Sequence, residues 1–136
     1  MAETQHPMIT TAEGFQYSVN IAFDLHDENK LKNFIPTQSS LRLLEDILLS
    51  TRPESTSRSR ILIGAYGKGK SHIILTILAL LAGREKNAFA NLNKKLETEP
   101  RLRQLVDNYR ESQTKLLPVV ISGSNTSLTQ AFILSL

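Results

Sequence analysis

The sequence predicts an α/β protein. It reads as the N-terminal part of a three-layer α/β/α core, with a helical hairpin inserted into it. Three observations predict this. The apolar run Ile61-Leu62-Ile63 leads into a glycine-rich loop, then a Lys-Ser pair, then an apolar segment of helix length. A second apolar run, Leu116 to Ile121, has the length and bounding residues of a buried strand. Between the two, residues 84–115 carry apolar positions at helical spacing among dense charge.

In chain order, residues 1–14 are polar, contain Pro7 and Gly14, and read as a flexible leader. Residues 15–136 read as the domain, its C-terminus truncated. Tyr17, Val19, Ile21, Phe23 and Leu25 alternate at period two, which predicts a half-buried strand. His26-Asp27-Glu28-Asn29 reads as a solvated turn rather than a metal cluster, because consecutive side chains do not converge. Pro36 biases Ile35 toward an extended backbone. Ser39 or Ser40 can then cap a helix whose apolar face is Leu41, Leu43, Leu44, Ile47 and Leu48. Residues 50–60, rich in Ser, Thr and Arg, read as a polar connector.

The helix after the Lys-Ser pair spans the apolar run to Ala82, with Gly83 as its C′ residue and Arg84 suited to its negative end. Phe89, Leu92 and Leu96 share one helical face. Pro100 suits a first helical turn, and Leu102, Leu105, Val106 and Tyr109 continue at 3.6-residue spacing. Acids and bases interleave across 84–115, the pattern of a solvated face. Pro118 stands near the start of the second predicted strand, where its missing N–H is harmless. Residues 122–126 read as a loop. Ser127-Leu128-Thr129-Gln130 fits a capping box for a helix that reaches Leu136 without a C-cap, the sign of truncation.

Chemistry concentrates at Gly64-Ala65-Tyr66-Gly67-Lys68-Gly69-Lys70-Ser71, which fits the phosphate-binding pattern G-x-x-x-x-G-K followed by Ser or Thr at every fixed position. Three of the six glycines in the chain stand in this loop, more than an ordinary turn requires. Glycines let consecutive N–H groups face one point, and a helix N-terminus adds further unsatisfied donors. Lys70, the candidate catalytic residue, would reach the β- and γ-phosphates, and the Ser71 hydroxyl would ligate Mg2+. The main-chain groups from Gly64 through Ser71 are the candidate cofactor contacts. Tyr66 could pack on the loop or face a partner. Lys68 is a solvated charge, with contact to phosphate or to a neighbouring subunit as the other reading. His72 is a first-turn packing residue, unless it approaches the phosphates or orders a neighbouring element.

Composition sets bounds on these readings. The chain has 136 residues, 40% of them hydrophobic, which allows one domain with a core. It has no cysteine, which excludes disulfides and Cys-ligated zinc. The N-terminus has no secretory pattern and the longest apolar run is too short to span a bilayer, so a cytoplasmic setting without a membrane is expected. A net charge of +3 permits contact with nucleic acid without arguing for it.

Hydrolysis needs more than a phosphate cradle. It needs a carboxylate at a strand end to hold Mg2+ through water and to polarise the attacking water. No Asp or Glu follows Glu111 and no Arg follows Arg110. The second predicted strand ends in Ser122. The chain is therefore expected to bind ATP and Mg2+ as the N-terminal piece of a larger ATPase, or else as a nucleotide-binding remnant.

Phe34-Ile35-Pro36-Thr37, the amphipathic helix after it, the connector, and Arg60 through His72 together resemble the opening of AAA+-type ATPases, nearest to the initiator-like group related to origin-recognition proteins. The resemblance covers roughly residues 33–136. It implies a P-loop NTPase core, ATP hydrolysis driving rearrangement of protein or nucleic acid, and homo-oligomers or other subunits in the complete protein. It also makes Ile35 and Pro36 candidate adenine contacts. The Gly-x-Tyr-Gly-Lys-Gly-Lys-Ser-His variant and the Val119 to Gly123 segment resemble, more weakly, large ATPases of bacterial phage-defence systems of the BREX type. Two other readings compete. A nucleotide kinase-like phosphotransferase needs a lid with arginines and a later acid, which this chain lacks. A non-catalytic interaction fragment would use the charged surface of 84–115.

Overall fold

Asn20 decides the first element. Its side-chain oxygen accepts from the N–H of Ala22, and its own N–H donates to Asp24 Oδ2 at 2.7 Å. These reciprocal bonds start helix α1, Ile21–Asp24, in the manner of a capping box. The predicted strand over 17–25 is corrected accordingly: four residues of it are helical and Phe23 is exposed, while Val19 and Leu25 pack on the core. Tyr17 lies outside the described residues. Asp27 repeats the device, accepting from Asn29 and Lys30 to start α2, Glu28–Lys32. The stretch read as a solvated turn is therefore a helix cap.

The computed structural model describes residues 18–121, 123 and 127–134. The leader at 1–14, Ser122 and residues 124–126 lie outside them. Five further helices follow: α3 Gln38–Ser50, α4 Lys70–Leu81, α5 Ala90–Leu96, α6 Pro100–Glu111 and α7 Leu128–Leu134, with a 3-10 turn at Lys86–Phe89. No strand or sheet occurs among the described residues. The predicted α/β three-layer core is thereby overturned, and the architecture is helical.

The reason lies in the two apolar runs. A strand is stable only when its N–H and C=O groups find a ladder. Ile61 and Ile63 are 88% and 93% exposed, and no described segment pairs with them. In the second run, Leu117 is exposed, Pro118 has no donor, and the one backbone bond near its start runs from the Leu116 N–H to the Leu81 carbonyl at 3.0 Å, onto a helix end.

The helices obey their spacing. Thr37, not Ser39 or Ser40, caps α3, in a reciprocal capping box with Ser40. Leu41, Leu44 and Leu48 are buried, with Leu43 and Ile47 partly so. α4 is apolar on almost every side and buries Ile73, Leu75, Ile77, Ala79, Leu80 and Leu81. A helix of that kind belongs at the centre of a core. Its one buried polar side chain, Thr76, donates to the carbonyl of His72.

At the far end of α4, Gly83 adopts φ 78°. The Arg84 N–H bonds the Ala79 carbonyl and the Gly83 N–H bonds the Leu80 carbonyl, both at 3.0 Å, the paired bonds of a Schellman cap. The neighbouring Leu81 carbonyl accepts twice, from Leu116 N–H and from the Tyr109 hydroxyl at 2.7 Å.

The 84–115 stretch folds back over this helix. Phe89, Leu92, Leu96, Leu102 and Val106 are buried in the same cluster as α4, and Leu105 and Tyr109 pack against it. Each such side chain contributes about 1.5–3 kcal/mol relative to exposure. α6 lies against α3, and α5 joins α6 to α2. Asp107 faces Lys86, Arg103 and Arg110, one carboxylate shared among three cations. The Ser127 hydroxyl accepts from the Gln130 N–H at the start of α7, where Ala131 is buried. No helix among the described residues is long and apolar enough to cross a membrane.

Candidate functional site

Local backbone chemistry builds the loop before α4. Gly67 and Gly69 have φ of 74° and 75°. A side chain in that region costs about 1–2 kcal/mol. A Cβ built at either position meets nothing within 4 Å. Conformation, and not space, is what selects glycine there. Gly69 is the N-cap residue of α4 and supplies no side-chain cap. The N–H groups of the first turn are left without a cap, the arrangement that suits an anion. Ile73 makes the first intrahelical bond, to the Gly69 carbonyl.

Lys70 bends back across the loop. Its Nζ donates to the Gly64 carbonyl at 2.8 Å and to the Ala65 carbonyl at 2.5 Å. Gly64 stands under the same side chain, and a Cβ there would lie 3.5 Å from Lys70 Cδ. The loop thus holds an ammonium over its own turn, in a position from which phosphate oxygens can compete for it. Ser71 is exposed on the first turn of α4. Tyr66, 99% exposed, stands out from the loop.

A cavity of about 480 Å3 opens beside the loop. Gly67, Lys68, Gly69 and Lys70 form part of its lining. So do Phe34, Ile35, Thr37 and Leu43, from the segment that precedes α3 and from α3 itself. The predicted base contact Ile35 is therefore brought to the predicted phosphate loop across about thirty residues of sequence. Pro36 does not line the cavity, nor do Gly64, Ala65, Tyr66 or Ser71. Lys68 does, while remaining exposed as its solvated reading expects. No carboxylate belongs to the lining, so Lys68 and Lys70 give it a positive field.

Compared with known proteins, the chain matches no family model, no curated protein and no solved structure. The site therefore stands on its geometry.

Of the lining residues that the sequence reading did not name as site residues, two are tied into the wall by polar bonds of their own. Lys30 is buried in the wall, its Nζ bonded to Asp24 Oδ2 and to the Ser18 carbonyl. Burial raises the Asp24 pKa, but the bonds from Lys30 and from the Asn20 N–H, with the Lys30 charge, outweigh it and hold the carboxyl below its ordinary value. Thr37 is the second. Its partner in the α3 cap, Ser40, was considered as a cap residue but not as a lining residue. The cap motif carried the signal for both. Lys30 carried none, being forty residues from Lys70 in an unremarkable charged stretch.

His72 sits between the two walls. Its Nε2 donates to the Lys30 carbonyl at 2.6 Å, and its ring meets Phe34 edge-on with centroids 5.2 Å apart. Of its three sequence readings, the geometry fits first-turn packing, in the contact with Phe34, and the ordering of a neighbouring element, in the bond to Lys30. Among the described residues no group of three or more His, Asp or Glu side chains can hold a metal. A Mg2+ ion would depend on the Ser71 hydroxyl and on phosphate oxygens.

Proposed function

We propose that the chain binds ATP, with Mg2+, through the loop Gly64–Ser71. One observation carries the reading: a single cavity is lined by the loop residues Gly67 to Lys70 and by the apolar pair Phe34 and Ile35. Phosphates need the loop amides and the ammonium, while a base needs an apolar wall. Both are present in one space. Lys70 would leave the carbonyls of Gly64 and Ala65 for the β- and γ-phosphates. Bound Mg2+ would offset phosphate charge, with Ser71 as its protein ligand. The reading ends at binding, because no carboxylate lines the cavity to activate water. Hydrolysis, and any rearrangement it drives, would require an acid from beyond this lining, supplied by a larger ATPase.

Isothermal titration with Mg-ATP tests the proposal. The wild-type chain is expected to bind and Lys70→Ala to lose at least about tenfold in affinity, since a hydrogen bond to a charged group is worth about 1.5–3 kcal/mol. Saturating nucleotide at a hundred times Kd should stabilise the fold by about 2.7 kcal/mol. Equal binding by wild type and Lys70→Ala would sink the assignment.

A further inference from the structure

The loop and the apolar wall come from distant parts of the chain, and their separation has to be held by something. His72 holds it. It lies in the first turn of α4, two residues after Lys70. Its imidazole donates to the Lys30 carbonyl, 42 residues away, and rests edge-on against Phe34. Phe34 is buried, and Lys30 is itself tied to Asp24 and the Ser18 carbonyl. One half-buried ring therefore joins the phosphate-loop helix to two fixed points of the opposite wall. His72, Lys30 and Phe34 all line the cavity with Lys70 and Ile35.

The consequence depends on the ligand. An inorganic polyphosphate needs only the loop amides and Lys70. A nucleoside triphosphate must satisfy loop and apolar wall at once, so its affinity rises with how well their spacing is preorganised. We infer that His72 is a positioning residue that sets this spacing and makes the site select nucleoside triphosphates over inorganic polyphosphate. The inference rests on the nucleotide-binding reading above.

Titration calorimetry with Mg-ATP and with Mg-tripolyphosphate tests it on wild type, His72→Ala and His72→Gln. Wild type is expected to prefer ATP. His72→Ala should lose about tenfold in ATP affinity, the scale of one hydrogen bond, with tripolyphosphate affinity within about twofold of wild type. His72→Gln, which can present an amide N–H near the same carbonyl, should recover most of the ATP affinity. If circular dichroism finds His72→Ala unfolded, His72→Leu replaces it, keeping apolar contact with Phe34 but no donor, and must show the same split. Loss of both ligands alike, or of neither, in a folded variant would overturn the role of His72 and leave the nucleotide reading standing. A wild-type chain that binds neither ligand would overturn both.

Discussion

The residues on either side of Gly69 have the same apolar character and opposite fates. Ile61 and Ile63, before the loop, face solvent almost completely. Ile73 and Ile77, after it, are buried at 8% and 2% exposure. Hydrophobicity alone does not separate the two pairs. A helix satisfies its own backbone and needs only a neighbour for its side chains, which α1 and α2 provide for α4. An extended run needs backbone partners as well. Among the described residues it has none. Order in this chain thus follows from where main-chain hydrogen bonds can close, and side-chain burial comes with it.

The largest test of this contrast is on the buried side. Phe89→Ala should cost about 3–5 kcal/mol, as large-to-small changes in packed cores do, because the ring is fully buried beside α5. Chemical denaturation monitored by circular dichroism reads it directly. A cost below about 1 kcal/mol would mean that the helices do not share one core.

Gly69→Ala probes the junction itself. The residue must keep φ near 75°, so about 1–2 kcal/mol of strain is expected in stability or, if the turn relaxes, a loss of Mg-ATP affinity. Unchanged thermal stability together with unchanged nucleotide affinity would refute the left-handed turn.

Asp24 sharpens the contrast at the wall. Its pKa is lowered in the fold, so its contribution is complete above the ordinary value of 3.8 and is lost as pH falls through the lower folded value. Wild type should exceed Asp24→Asn in stability at neutral pH, and acid titration should bring the two together below about pH 4. Parallel curves across that range would contradict the pairing with Lys30.

The smallest effect is expected at the exposed run. Ile61→Ser with Ile63→Ser should change stability by no more than about 0.5 kcal/mol. A loss of several kcal/mol would place these side chains in a packed environment and break the comparison.

Helix-forming information was readable where spacing and caps agreed. The apolar faces of α3 and α6 and the Gly83 ending of α4 could be read from residues a few positions apart. The strand readings failed because alternation over 17–25 is a weaker signal than the Asn20 and Asp24 cap bonds inside it. They failed again at 61–63 and 116–121 because no sequence pattern states whether a ladder partner exists. For the site, the glycines and Lys70 were legible from the motif. The joining of Ile35 to the loop came by resemblance. That His72 orders a neighbouring element was one of its readings, but its partner was not legible, since that is a carbonyl 42 residues distant.

The doubled hydrogen bonding at the Leu81 carbonyl has a mechanical meaning. α4 is a rod of twelve residues, about 18 Å long. Its C-terminal end is clamped by Tyr109, by Leu116 and by the cap at Gly83. Its other end bears a glycine loop and has His72 as a side brace. Such a rod is held at both ends, by more bonds at the root than at the tip. Amide hydrogen exchange should therefore slow progressively from Ser71 toward Leu80. Ligand at the tip should flatten that gradient without changing protection at the root.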